Sequence, residues 1–366
     1  MSKIKVAIIG CGTIANAAHI PSYLNNPKAE IKYFCDIIPE RAEAAVKQYG
    51  CGTAIEDYHV GLNDPEIQAV SVCTPNYAHP EIAIAAMRAG KDVLCEKPAA
   101  RTYAEALEMK KGQNETGRIL NIGVVNRFND NVNAIKKYID QGKLGEVFHV
   151  YVSFRAHRSI PGLGGAFTTK AIAGGGALID WGVHYLDIVM YCCGDPKPLT
   201  VSGYTSNFFG TNPLYQRADQ DHTAEENATR FNVDDFAAAF VRLEGGIILD
   251  FRISWAMHLD TPGDTIILGK KGALRIPSTE CWNGSVGGEM TLYSDVAGLQ
   301  TETKFPILKS GKDLFELKVR SFLDAIKEGT PAPVPSAQIY YNQAIIDGIM
   351  KSAALGREIE LEIPEV

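Results

Sequence analysis

The sequence predicts an α/β fold: an N-terminal Rossmann domain with a doubly wound parallel sheet, then a C-terminal α/β domain with a large, mostly antiparallel open sheet. Three observations carry this. Up to about residue 123, short Val/Ile/Cys-rich runs alternate with stretches of helical spacing, the pattern of a parallel sheet covered on both faces. Beyond it the runs lengthen and alternate with period two, as antiparallel strands with one covered face do. The chain has 366 residues, too many for one ordinary core, so two domains are expected, 1–122 and 123–366.

Strands of the first domain are expected at 5–9, 31–35, 69–73, 92–95 and 119–123, each with an apolar centre. Segments 39–49 and 80–89 have helical spacing, and right-handed crossovers wind them onto the sheet. In the second domain Ile247, Leu249, Phe251, Ile253 and Trp255 point one way, while Asp250, Arg252 and Ser254 point the other. Phe148, Val150, Val152 and Phe154 alternate likewise with His149, Tyr151, Ser153 and Arg155. Runs 265–268 and 273–276 flank Gly269-Lys270-Lys271-Gly272, a hairpin turn. Helices are expected near 131–141, 178–193 and 314–327. Residues 207–232 form a long polar segment, and a loop of that size is usually functional or interfacial.

Composition narrows the function classes. With 46% hydrophobic and 22% charged residues the chain reads as a soluble globular enzyme. A net charge of −7 and no basic run interleaved with aromatics argue against a nucleic-acid partner. The apolar run at 6–9 is broken by Gly10 and nothing later is long enough to span a bilayer, so neither a signal peptide nor a membrane partner is expected. Eight cysteines without a Cys-x-x-Cys pair read as reduced core thiols of a cytoplasmic protein.

The first strand runs straight into Gly10-Cys11-Gly12-Thr13-Ile14-Ala15. Gly10 would make the tight turn, Gly12 would admit a pyrophosphate to the backbone, and Ala15 would let the helix lie close, with Thr13 and Ile14 opening that helix at the ligand. Asp36 ends the second strand, where a carboxylate accepts both ribose hydroxyls of an adenosine and repels a 2′-phosphate. Arg41, a helical turn on, could stack on adenine. Two further strand ends face the same crevice, carrying Thr74, Asn76 and His79, and Glu96-Lys97-Pro98. Asn76 and His79 would serve equally well as caps of the next helix. After Gly174-Gly175-Gly176, the positions Asp180, His184 and Asp187 share one helix face. A histidine flanked by carboxylates is held in orientation and takes up a proton near neutral pH; the bland alternative is a capping aspartate and a core histidine. The glycines would let backbone pass close to a ligand. No second His/Cys cluster has ligand spacing, so no metal is expected.

Gly10 to Ala15, Cys73-Thr74-Pro75-Asn76-x-x-His79, Ala89-Gly90-Lys91-x-Val93-x-Cys95-Glu96-Lys97-Pro98 and 174–184 resemble, in order and spacing, the Gfo/Idh/MocA family of glucose–fructose oxidoreductase, inositol dehydrogenase and rhizopine-catabolism proteins. The resemblance runs the whole chain, through Asn126-Arg127-Phe128, Val233-Asp234-Asp235-Phe236 and 340–356. It implies NAD held by the N-terminal domain, a C-terminal domain that binds substrate and forms a homodimer or homotetramer through its open sheet, and a sugar, glycoside or cyclitol as substrate, with the nicotinamide between the domains. It also implies that Lys97, Asp180 and His184 are catalytic.

The chemistry expected is hydride transfer from a ring secondary alcohol, for example glucoside C3 or an inositol carbon. His184 would be the base, oriented by Asp180, and Lys97 would stabilise the developing alkoxide. Arg127, Arg155, His157, Trp255 and Trp282 are candidates to bind the polyol, although Trp255 also fits the core-facing period of its strand. Two other readings stay open: a redox-assisted NAD-dependent glycosidase and a non-catalytic dinucleotide-binding regulator. Retention of Lys97, Asp180 and His184 together argues against the second.

Overall fold

A computed structural model describes residues 3–161, 167–215, 230–259, 263–277, 289–306, 308, 311 and 313–365. They form two compact units, Met1–Val125 with Gly311–Tyr340, and Asn126–Ser310 with Tyr341–Glu365. The sequence-based division at 122/123 therefore needs a correction: Gly311–Tyr340 returns to the first unit.

The first unit is built on a parallel sheet. Its strands are β1 (Ile4–Ile9), β2 (Ala29–Cys35), β3 (Thr53–Ile55), β4 (Ala69–Val72), β5 (Asp92–Cys95) and β6 (Leu120–Ile122), in the order β3-β2-β1-β4-β5-β6. Order reverses between β1 and β4, the place where an open α/β sheet leaves a crevice beyond its strand ends. β1, β4 and β5 are buried almost throughout, which is why they read as unbroken apolar runs. β3 was not expected; three residues, none fully buried, leave no pattern to detect. The helix Pro39–Tyr49 begins at a proline and ends on Gly50 at φ 65°, the start and stop that such residues supply. The helix Leu314–Glu328 starts where the Asp313 carboxylate takes the Phe315 and Glu316 N–H groups. It sends Val319, Phe322 and Leu323 into the same core as Ile8, Ile20 and Leu94, although the sequence-based division had placed it in the second domain.

The second unit carries β7 (Val147–Arg155), β8 (Pro198–Ser206), β9 (Phe236–Leu243), β10 (Ile248–Ser254), β11 (Asp264–Gly269), β12 (Gly272–Pro277), β13 (Met290–Val296), β14 (Leu299–Phe305) and β15 (Ile359–Glu360). Their order is β14-β13-β12-β11-β7-β10-β9-β8-β15, antiparallel except where β10 runs parallel to β7. Gly269 pairs with Gly272, so Lys270 and Lys271 make the expected hairpin turn. Leu249, Phe251 and Ile253 of β10 and Val150, Val152 and Phe154 of β7 share one core with Val183, Leu186 and Ile345. Phe148 does not join them: β7 shifts register against β11 between Val147 and His149 and turns this ring outward. The open face shows Tyr151, Tyr204 and Phe240, with Asp250, Arg252 and Arg242 between them.

Among the described residues no helix is long and apolar enough to cross a membrane. Among the described residues seven cysteines are free thiols, and burial pushes those of Cys11 and Cys35 up to about 12. Cys281 and Trp282 lie outside the described residues, as do 216–229 of the polar segment.

Candidate active site

In the first unit the crevice is framed by the carboxyl ends of β1, β2, β4 and β5. Gly10 adopts φ 91°, and a Cβ there would lie 2.7 Å from the Cys73 carbonyl carbon and oxygen, so only glycine lets β1 turn against β4. A Cβ at Gly12 would meet nothing within 4 Å; the space over that peptide is open for a ligand to approach the backbone. Thr13 is exposed and Ile14 half-buried beside it. Asn16 donates from Nδ2 to the carbonyls of Cys11 and Gly12, holding the loop from behind. The following turn, Ala15–His19, is wound as a π-helix before Ile20–Leu24 continues as an α-helix.

Asp36 lies against this loop. Its Oδ2 accepts the Cys11 N–H at 2.9 Å and its Oδ1 the Ile38 N–H at 2.9 Å. Each oxygen keeps a lone pair for a further donor, so the carboxylate is oriented and still able to bind a diol. Arg41 is exposed in the first turn of the next helix. Thr74 follows β4, and its hydroxyl is buried without a partner; a bound nucleotide is one group that would satisfy it. Asn76 is half-buried in the turn after it.

Two expected cofactor contacts are placed differently. The His79 ring is buried, with Nδ1 2.8 Å from the Pro98 carbonyl and Nε2 2.8 Å from that of Thr74. It ties two strand ends together, and burial lowers its pKa. Glu96 turns inward: Oε1 accepts from Lys318 Nζ at 2.6 Å and from His19 Nε2 at 2.8 Å. Lys97 itself is half-buried at the end of β5, followed by a cis bond to Pro98.

In the second unit, the expected helix over 178–193 is broken. Ala177–Asp180 forms one turn and Gly182–Cys192 a helix, with Trp181 at the junction. His184 is buried at the start of that helix, its N–H on the Trp181 carbonyl, and Asp180 is half-buried. Asp187 does not flank His184 as a partner. It receives the Arg127 guanidinium at 2.7–3.1 Å and the Asn342 amide at 3.3 Å. Arg127, expected on the polyol, is thus committed to a buried ion pair, with the Tyr191 ring 4.7 Å from its guanidinium carbon. Trp255 is 0% exposed, packed with Ile160, Tyr215 and Val233, and offers no stacking face. Arg155 and His157 are half-buried where β7 ends, and His157 meets the Tyr215 ring edge-on.

Asp234, part of a sequence motif to which no role was assigned, is a supporting residue. Its carboxylate accepts the Gly176 N–H at 2.7 Å and the Leu178 N–H at 2.8 Å, and its carbonyl the Ala177 N–H. It fixes the turn that carries Asp180. A Cβ at Gly176 would lie 1.9 Å from the Asp234 carbonyl oxygen, so this glycine makes room for the chain itself, where a ligand was expected.

Residues 4–124 match the family model described as an oxidoreductase family with an NAD-binding Rossmann fold, and 132–275 the GFO/IDH/MocA C-terminal domain. The chain is 28% identical over 363 residues to D-glucoside 3-dehydrogenase of Escherichia coli (strain K12), covering 98% of each. It is 24% identical over 366 residues to inositol 2-dehydrogenase of Salmonella typhimurium (strain LT2), covering 99% of this chain and 97% of that one. The fold is that of a levoglucosan dehydrogenase solved with NADH and L-sorbose, with a TM-score of 0.81 at 24% identity over 100% of both chains. From the Gly10 turn to the Asp234-capped turn of Asp180, this chain is a member of the GFO/IDH/MocA family of oxidoreductases.

Proposed function

We propose that this protein is an NAD-dependent dehydrogenase that oxidises a ring secondary alcohol of a sugar, glycoside or cyclitol. The observation that carries it is the placement of Lys97. It stands at the end of β5, in the sheet whose neighbouring strand ends open over Gly12, on a peptide held by Glu96 before it and His79 after it. The relatives named as glucoside and inositol dehydrogenases support the substrate class.

Bound NAD would supply the hydride acceptor for the carbon that bears the hydroxyl. His184 takes the hydroxyl proton, and Asp180 orients the imidazole. The Lys97 ammonium donates to the same oxygen and stabilises the charge that grows on it. Arg155 and His157 bind neighbouring hydroxyls. Gly10, Gly12, Thr13 and Ile14 hold the pyrophosphate, Asp36 the adenosine ribose, and Thr74 and Asn76 the nicotinamide half. NAD is preferred to NADP because Asp36 meets a 2′-phosphate with like charge, and Ile37, Ile38 and Pro39 supply no cation beside it.

A panel of glycosides and cyclitols at fixed NAD, followed by NADH absorbance, tests this reading. Net NADH from one class supports it. Release of aglycone from a glycoside without net NADH would assign the redox-assisted glycosidase, and silence across the panel with NAD bound would leave the regulator. The open face of the second sheet, with Tyr204 51% exposed and Phe240 37%, is proposed to pair two copies; a monomer mass by light scattering would end that idea.

A further inference from the structure

Beneath Lys97 lies a buried polar network that the reaction does not use directly. Lys318, on the helix Leu314–Glu328, is 0% exposed, and Glu96 and His19 are almost as enclosed. Lys318 Nζ donates to Glu96 Oε1 at 2.6 Å and lies 5.0 Å from the centre of the Phe315 ring. His19 Nε2 is 2.8 Å from the same oxygen and His19 Nδ1 2.7 Å from the Ser71 hydroxyl. A neutral ring that donates from Nε2 to the carboxylate and accepts from Ser71 satisfies both contacts. Burial and the Lys318 charge both lower the His19 pKa, which agrees with that form.

The other oxygen of Glu96 is turned to the backbone. Oε2 accepts the Lys97 N–H at 3.2 Å. Gly123, after β6, leaves the space this side chain occupies: a Cβ there would lie 2.7 Å from Glu96 Oε1 and 3.0 Å from its Cα. The orientation of the Glu96 side chain is set by the two donors on Oε1, with the Lys97 N–H on Oε2. Of those two, only Lys318 is charged. Burial pushes the Glu96 carboxyl up, and Lys318 and His19 override it and hold it well below the usual range.

We propose that Lys318 is a positioning residue for Lys97, acting through Glu96 by fixing the carboxylate that receives the Lys97 N–H. This rests on the reading of Lys97 as the group that contacts the reacting oxygen. Without the ammonium, Glu96 keeps a buried charge with His19 alone on Oε1, and rotates or takes up a proton. Either change releases the peptide from which Lys97 reaches the substrate. Small misplacements of a reacting group are expensive in rate and need not alter ground-state binding.

The test compares four variants of the full-length enzyme with NAD. Lys318→Met should lower kcat on the order of 10–100-fold while NAD affinity stays within about threefold. Val319→Ala, its neighbour on the same helix and fully buried in the core, serves as the control. It should lower the melting temperature and leave kcat nearly unchanged. The double variant Glu96→Gln, Lys318→Met keeps an acceptor for the Lys97 N–H and lets the new amide donate to His19, so it should regain most of the lost kcat. If Lys318→Met changes only melting temperature, as Val319→Ala does, or the double variant regains stability without rate, the proposal is overturned. Lys97→Met reports on the underlying reading separately: should it turn over normally, that reading fails whatever Lys318 does.

Discussion

Arg127 is the position where sequence and structure lead to opposite experiments. As a polyol contact it should matter to KM; as the partner of Asp187 it should matter to folding. Arg127 is 7% exposed, and its guanidinium meets both Asp187 oxygens, Nε at 3.0 and 3.1 Å and Nη2 at 2.7 Å, while Asp195 lies 3.6 Å away. Asp187 is wholly buried, and the Asn342 amide is its other side-chain donor. Arg127→Met therefore strands a carboxylate in the core, a change that costs about 3–5 kcal/mol. At about 2–4 °C per kcal/mol for a unit of this size, the melting temperature of the holoenzyme should fall by roughly 6–20 °C. Adding Asp187→Leu removes the stranded charge, and most of the loss should be recovered, since an apolar pair of similar volume replaces a buried ion pair at little cost. KM for the alcohol, measured where both variants are folded, should stay within about threefold of the parent, because the interaction removed is not a substrate contact. Calorimetry and initial rates decide it. An unchanged melting temperature with a tenfold rise in KM would refute the reasoning and return Arg127 to the substrate.

Lys97→Ala and His184→Ala should each cost ~10²–10⁴ in rate with NAD affinity and folding nearly intact. The double variant should be little worse than either, because groups acting on one oxygen are not additive; strictly multiplicative losses would assign them to separate steps. Asp36→Asn should narrow the preference for NAD over NADP in binding titrations, and tighter NADP binding by the parent would show that Arg41 reaches the phosphate. Asp235 is buried at the end of the polar segment, where burial lifts its carboxyl to about 6 against opposing N–H bonds from Phe209 and Gly210. The unfolded chain releases this proton near 3.8, so stability falls as pH rises between the two values, by at most about 3 kcal/mol. Asp235→Asn, which does not ionise, should gain on the parent between about pH 4 and about pH 7 in denaturant melts. Parallel curves for the two proteins would exclude that titration.

Much of this protein was legible from local pattern. The strands β1, β2, β4 and β5 and the hairpin at Lys270 and Lys271 lie where period and glycine placement put them. So does the Gly10 turn, because the constraints that shape them act within a few residues. What stayed hidden depends on partners far along the chain. Nothing near Arg127 announces Asp187, and nothing near Glu96 announces Lys318. Trp255 had the right chemistry for a sugar platform, and the alternation of its strand already pointed it inward. Helical spacing put Asp180, His184 and Asp187 on one face, but the helix breaks at Trp181 and Asp187 is taken by Arg127. Asp234 was visible only as part of a motif, since its role lies in two backbone N–H groups across the fold.

The return of Gly311–Tyr340 to the first unit has a consequence for the order in which the protein is made. Glu96 leaves the ribosome 222 residues before the ammonium that neutralises it. At about 5–20 residues per second, that interval is roughly 10–45 s. Through it the nascent sheet holds a carboxylate without its buried cation, so the core around Cys73, Cys95 and Ser71 is not completed while Asn126–Ser310 emerges. The Rossmann half begins first and is completed only after Asn126–Ser310 has been made. Its closure therefore reports on synthesis of the chain to beyond residue 318, and a translation product cut short before that point should lack a closed nucleotide domain, even though it contains all six strands of the sheet.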